Sequence, residues 1–186
     1  MIPRQASPQG RFIRGFLLLK KGLNRGLEFL VILSMAVLVL DVTWQVFTRY
    51  VLNKPSSWTE ELATFLMIWV GLLGASVALN RSAHLGVDYF VDKLSGRKKL
   101  LARIASFLFV ALFSLLVLVI GGIRLVSITL MRQQLSPALG IRMGYVYLAL
   151  PISGFFLVIY SLEFLFESVI KLMGDRKEKG VSWNRF

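Results

Sequence analysis

Arg49-Tyr50-Val51-Leu52-Asn53-Lys54-Pro55-Ser56-Ser57-Trp58-Thr59-Glu60-Glu61-Leu62 opens the stretch that decides the fold, and Arg81-Ser82-Ala83-His84-Leu85-Gly86-Val87-Asp88 closes it. Between these polar junctions lies a run of roughly 18 apolar residues, about what a helix needs to cross a bilayer. The first junction carries its own local instructions. Asn53 and Pro55 favour a turn. Ser57 and Glu60 have capping-box spacing, which starts a helix near Trp58. Glu60 and Glu61 then sit in the first turn, where negative charge suits the helix dipole. The junction is complete as a turn, a cap and an interfacial tryptophan. The same residues also offer a polar edge to a docking partner. The residues alone favour the first reading.

Outward from this run, three more apolar stretches follow the same logic. The expected spans are 27–48, 60–80, 103–130 and 143–168, within one membrane domain, 1–186. Residues 1–10, with Pro3, Pro8 and Gly10, read as a disordered tail, and 172–186 as a cytoplasmic tail. Over 11–26 the pattern is amphipathic, with Phe12, Phe16, Leu19 and Leu23 opposite Arg11, Arg14, Lys21 and Arg25. That predicts a helix lying on the membrane surface. The first apolar run is too long for a signal peptide and ends in no small-x-small cleavage site. The expected fold is an all-α integral membrane protein: four transmembrane helices plus a short N-terminal amphipathic interfacial helix.

Composition excludes several function classes. The chain is 56% hydrophobic and only 17% charged, outside the range of a soluble domain. It has no cysteine and one histidine, so disulfides, thiolate sites and histidine-rich metal clusters are excluded, and no metal or cofactor is expected. The net charge of +12 sits at the edges of apolar runs, with no aromatic-interleaved basic face, so anionic lipid is expected as a partner and nucleic acid is not. Lysine and arginine crowd the two ends and the middle loop. The other two loops hold Arg49 and Lys54, and Arg132 and Arg142. The positive-inside rule then puts both termini in the cytoplasm. Trp44, Tyr50, Trp58, Tyr145 and Tyr147 form the outer aromatic belt.

Three features inside the spans carry expectations. Asp41 is an ionisable residue within span 1, with Gln45 and Arg49 four and eight residues on. Arg124 in span 3 lies toward the same membrane face, so Asp41, Gln45 and Arg124 are expected to form an intramembrane polar anchor, with Asp41 and Arg124 able to pair. Gly71, Gly74, Ala75 and Ala78 make overlapping small-xxx-small pairs, which predict close helix packing around span 2. Pro151 predicts a kink in span 4, with Gly154 giving room. His84 and Asp88 are four apart, but one histidine and one acid do not make a site, and a surface helix accounts for them.

No nucleophile–base pair, metal cluster or phosphate loop is present, so catalysis is not expected. A stand-alone transporter needs a polar path across the bilayer and commonly an internal repeat, and the chain shows neither. An interaction subunit needs apolar spans, close-packing faces and a patterned edge, which it has.

The ordered set Arg49-Tyr50, Asn53-x-Pro55, Trp58-x-Glu60-Glu61, Trp69, Gly74-Ala75, Arg81 and His84-x-x-x-Asp88 resembles the signature of the small membrane subunit of TRAP (tripartite ATP-independent periplasmic) transporters. Ser136-Pro137-Ala138-Leu139-Gly140-Ile141 and Val146-Tyr147-Leu148-Ala149-Leu150-Pro151-Ile152 agree with it, so the resemblance covers about 41–156. Arg142 stands where the family often has proline, and Leu85 where isoleucine is usual. The resemblance implies a non-catalytic scaffold subunit of a sodium-coupled, binding-protein-dependent secondary transporter that imports an organic acid across the bacterial inner membrane. It implies a large membrane subunit as partner and a periplasmic substrate-binding protein near Arg49, Asn53, Trp58, Glu60 and Glu61. The alternative is an orphan four-helix membrane protein with an assembly or structural role outside transport.

Overall fold

The computed structural model describes residues 8–54, 56–82 and 97–181, with side chains over 21–54, 56–81 and 99–170. The expectations for residues 1–7, for the loop with His84 and Asp88, and for the side chains of 11–20 and of the C-terminal tail lie outside these residues.

Among the described residues four helices are long and apolar enough to cross a membrane. The first is α1 (Pro8–Tyr50). The short helix expected over 11–26 is therefore not a separate element but the first part of α1. No proline or turn pair separates the two segments, and Gly22 and Gly26 each cost only about 1 kcal/mol relative to alanine, too little to break a long helix. Asn53 ends the α1–α2 connection in a left-handed conformation, φ 51°, which asparagine tolerates better than most residues, and the Lys54 N–H reaches the Thr48 carbonyl at 3.2 Å.

Next come α2 (Ser57–Ser82) and α3 (Arg97–Phe113), then a π-helical segment (Ser114–Gly121) and α4 (Gly122–Met131), which together make the third span. The fourth is divided into α5 (Met143–Tyr147) and α6 (Ala149–Val181). The break at Leu148 has a local cause. Pro151 has no N–H to donate to the Tyr147 carbonyl, so the helix is interrupted one turn before the proline. α6 continues to Val181, so the segment expected as a tail from 172 begins as helix.

The helices form an open row instead of a closed bundle. α1 packs on α2, α2 on α6, and α6 on α3 and the π segment. Among the described residues α1 touches no part of the third span. The order is span 1, span 2, span 4, span 3. Only 11% of the most apolar stretch of the first span, and at most 28% of any span's, is buried within the chain.

The seams are specific. On α1 the partly or fully buried residues Val31, Ser34, Leu38, Asp41, Gln45 and Thr48 alternate three and four apart. That 3.5-residue repeat is the seam of a left-handed helix pair. Between α2 and α6, the buried Ser76 hydroxyl donates to the Ser153 carbonyl at 3.1 Å. Phe107 stacks on Phe164 between α3 and α6. A close approach that involves the neighbouring backbone lies where the π segment meets α6. A Cβ on Gly154 would stand 2.7 Å from Leu118 Cβ and 3.0 Å from Val119 Cγ2. The wider π turn pushes its backbone toward α6, and the glycine leaves the space for it. Gly154→Ala is therefore expected to destabilise the purified chain by about 1–3 kcal/mol, read as a lower midpoint of thermal unfolding in detergent. Gly71→Ala is the control: a Cβ there meets nothing within 4 Å.

Candidate partner-binding edges

At one end of the helix axes α2 begins at Ser57, with Glu60 in its first turn. Arg49, Trp58 and Glu60 are exposed. Glu61 is not equivalent to Glu60. It is half-buried, and its Oε2 accepts the Ala138 N–H at 2.9 Å and the Leu139 N–H at 2.8 Å. Those N–H groups belong to a closed loop between spans 3 and 4. The Ser136 N–H donates to the Ile141 carbonyl at 2.8 Å, the Met143 N–H to the Gln134 carbonyl at 2.9 Å, and Gly140 turns the chain at φ +65°. Such a turn leaves successive N–H groups without helix or sheet partners, and a carboxylate satisfies two of them through charge-assisted bonds. The adjacent acids thus divide the work. Glu60 faces outward beside the helix N-terminus, and Glu61 clamps the distant loop to α2. The spacing of the sequence does not announce that clamp. Its only signal is the Pro137-to-Gly140 turn, whose free N–H groups need an acceptor.

The expected polar anchor is taken apart by the structure. Asp41 is 7% exposed on the α1 seam, with Gln45 beside it on the same stripe. Arg49 is exposed and off the stripe. Eight residues advance a helix by more than two full turns, whereas seven return it to the seam, so Thr48 takes the place expected for Arg49. Arg124 is exposed on α4, an element that α1 does not touch. Asp41 and Arg124 therefore do not pair, and Asp41 Oδ2 is buried without a hydrogen-bond partner. The reason is the row order, which sets span 3 away from span 1.

Within this chain the small residues of α2 are not the packing face. Gly71, Ala75 and Ala78 are exposed and Gly74 half-buried, and Cβ atoms on the two glycines would meet nothing within 4 Å. The close approaches are made instead at Gly122, Gly144 and Gly154.

At the opposite end of the helix axes two cross-links escaped the sequence reading. Arg81 grips Glu28 through both Nε and an Nη, at 3.1 and 2.8 Å, joining α2 to α1. The Tyr160 hydroxyl donates to Asn24 Oδ1 at 2.5 Å, joining α6 to α1. Among the described residues no group of three or more histidine, cysteine, aspartate or glutamate side chains is placed to hold a metal.

Comparison with known proteins bears on what these edges meet. Residues 38–171 match the family model described as the DctQ component of the tripartite ATP-independent periplasmic transporters. The chain is 32% identical over 157 residues to the sialic acid TRAP transporter small permease protein SiaQ of Vibrio cholerae, covering 84% of this chain and 89% of that one. It is 30% identical over 127 residues to the isethionate TRAP transporter permease protein DctMQ of Oleidesulfovibrio alaskensis, covering 64% of this chain and 20% of that one. It is 40% identical over 48 residues to the sialic acid TRAP transporter permease protein SiaT of Haemophilus influenzae, covering 26% of this chain and 8% of that one. With its four spans and this match, the chain is a multi-pass inner-membrane protein that belongs to the DctQ family, the small permease component of the tripartite ATP-independent periplasmic transporters.

Proposed function

We propose that this chain is the non-catalytic scaffold subunit of a sodium-coupled secondary transporter that takes an organic acid from a periplasmic binding protein. The open row carries the reading: its spans leave most of their apolar surface uncovered, and its intramembrane polar residues line no common path. In the bilayer that surface is open to lipid and to the helices of a membrane partner. The relatives named for sialic acid and isethionate support an organic anion as substrate. The face with Gly71, Gly74, Ala75 and Ala78 takes a helix of the large subunit, because small residues let backbones approach closely. Arg49, Trp58 and Glu60 form the docking edge for the binding protein, with Asn53 shaping the turn and Glu61 holding the neighbouring loop. The lysine and arginine asymmetry supports an orientation with both termini in the cytoplasm.

Reconstitution with the large subunit tests this. The two should co-purify, and uptake should require the binding protein and an inward sodium gradient, with no dependence on ATP. In cells carrying the complex, a cysteine at the exposed Gln134 should react with an impermeant thiol reagent added outside. Solute uptake by this chain reconstituted alone would refute the scaffold role.

A further inference from the structure

A second stripe on α1 lies beside the seam and meets α2 at Glu28. Lys21, Arg25, Glu28, Ile32, Met35 and Val39 follow one another at alternating spacings of four and three, so they lie along one face of a continuous helix. The basic end of that face is completed by α2. Arg81, held by Glu28, leaves its side chain 64% exposed. Arg81 and Arg25 therefore stand close to one carboxylate, and Lys21 lies one turn before Arg25 on the same face. From this cluster toward the middle of the span runs an apolar groove of about 750 Å³, lined by Ile32, Met35, Ala36, Val39 and Leu40 of α1 and Val70 of α2.

We propose that this face binds one anionic phospholipid of the cytoplasmic leaflet, its phosphate at Arg25, Lys21 and Arg81 and an acyl chain in the groove. The inference rests on the orientation and subunit role proposed above. Dimensions support it. From Arg25 to Val39 the helix rises about 21 Å, which is close to one leaflet with its headgroup. Charge supports it, because a basic pocket at the cytoplasmic edge of packed spans suits an anionic headgroup. The lining supports lipid over a helix of the large subunit. Apart from Ala36 the lining is isoleucine, methionine, valine and leucine, a lipid-facing surface, and none of the small residues Gly71, Gly74, Ala75 and Ala78 belongs to it. Glu28 holds the Arg81 guanidinium against α1, close to Arg25.

The complex with the large subunit, purified in delipidating detergent, is analysed by native mass spectrometry and lipid extraction. The wild-type complex should retain phosphatidylglycerol or cardiolipin. Lys21→Gln with Arg25→Gln should lower that retention roughly tenfold or more, since each cation near the headgroup contributes about 1 kcal/mol. Ala36→Trp, which fills the groove and leaves the cations in place, should lower it comparably. Arg132→Gln, an exposed cation at the opposite end of the helix axes, should leave it unchanged. Retention unaffected by both site variants would overturn the proposal. So would equal retention of phosphatidylethanolamine, or a cysteine at Ala36 that cross-links to the large subunit. Co-purification is read on the same samples, and lipid is measured on the chain with or without its partner. A missing partner thus marks failure of the scaffold reading, and a missing lipid marks failure of the site.

Discussion

Replacing Glu61 with alanine is expected to loosen the end of the protein that carries the loop between spans 3 and 4, and replacing Glu60 is not. The Glu61 carboxylate satisfies two backbone N–H groups of a loop that lies 77 and 78 residues away in sequence. Hydrogen bonds to charged groups contribute about 1.5–3 kcal/mol each, and partial exposure of Glu61 reduces that, so a total loss of about 2–4 kcal/mol is expected. Thermal unfolding of the purified chain measures it, and the spans 3–4 loop should also become sensitive to added protease. Glu60→Ala removes only a favourable charge in the first turn, worth under about 1 kcal/mol, and should leave the complex intact. If the docking edge is as proposed, Glu60→Lys lowers binding-protein-dependent uptake while the complex still purifies. An equal fall in stability for Glu60→Ala and Glu61→Ala would contradict the division of labour between the two acids.

Asp41→Leu is expected to stabilise the isolated chain. A buried polar atom left without a partner costs about 1–3 kcal/mol, and Asp41 Oδ2 is such an atom. Removing it should raise the unfolding midpoint by an amount equivalent to about 1–2 kcal/mol, after some loss to repacking. The double substitution Asp41→Leu with Arg124→Gln should show the sum of the two single effects to within about 0.5 kcal/mol, because the residues share no contact. A large coupling energy between them would require span 3 to lie beside span 1, which is not the arrangement described here.

How much of this was legible in the sequence depends on the range of each interaction. The four spans were legible because a hydrocarbon core about 30 Å thick demands long apolar runs, and such runs survive any arrangement of the helices. The turn at Asn53 and the interruption before Pro151 were legible because both follow from the backbone chemistry of a single residue. The row order was not. A span that is apolar on every side carries little record of which face meets a neighbour. Asp41 and Arg124 were therefore brought together on depth alone, although depth says nothing of lateral position. Glu61 shows the same limit, since its acceptor role is defined by a turn outside any local window. The small residues of α2 show a further one: a close-packing pattern does not say which chain it meets. Gly154 was legible as space but not as the seat of a π turn, because no feature of Ser114–Gly121 distinguishes that segment from an ordinary apolar helix.

The row order also sets a sequence of events during synthesis. Spans 1 and 2 are neighbours in the chain and in space, so they can pair as soon as both have left the translocon. Span 3 emerges next, yet among the described residues it packs on α6 and not on the finished pair. It must wait in lipid until span 4 arrives and inserts between the hairpin and itself. The last span to be made is thus the one that joins the two halves. A nascent chain stopped after Met131 would hold a completed helical hairpin and a third helix with nowhere to dock.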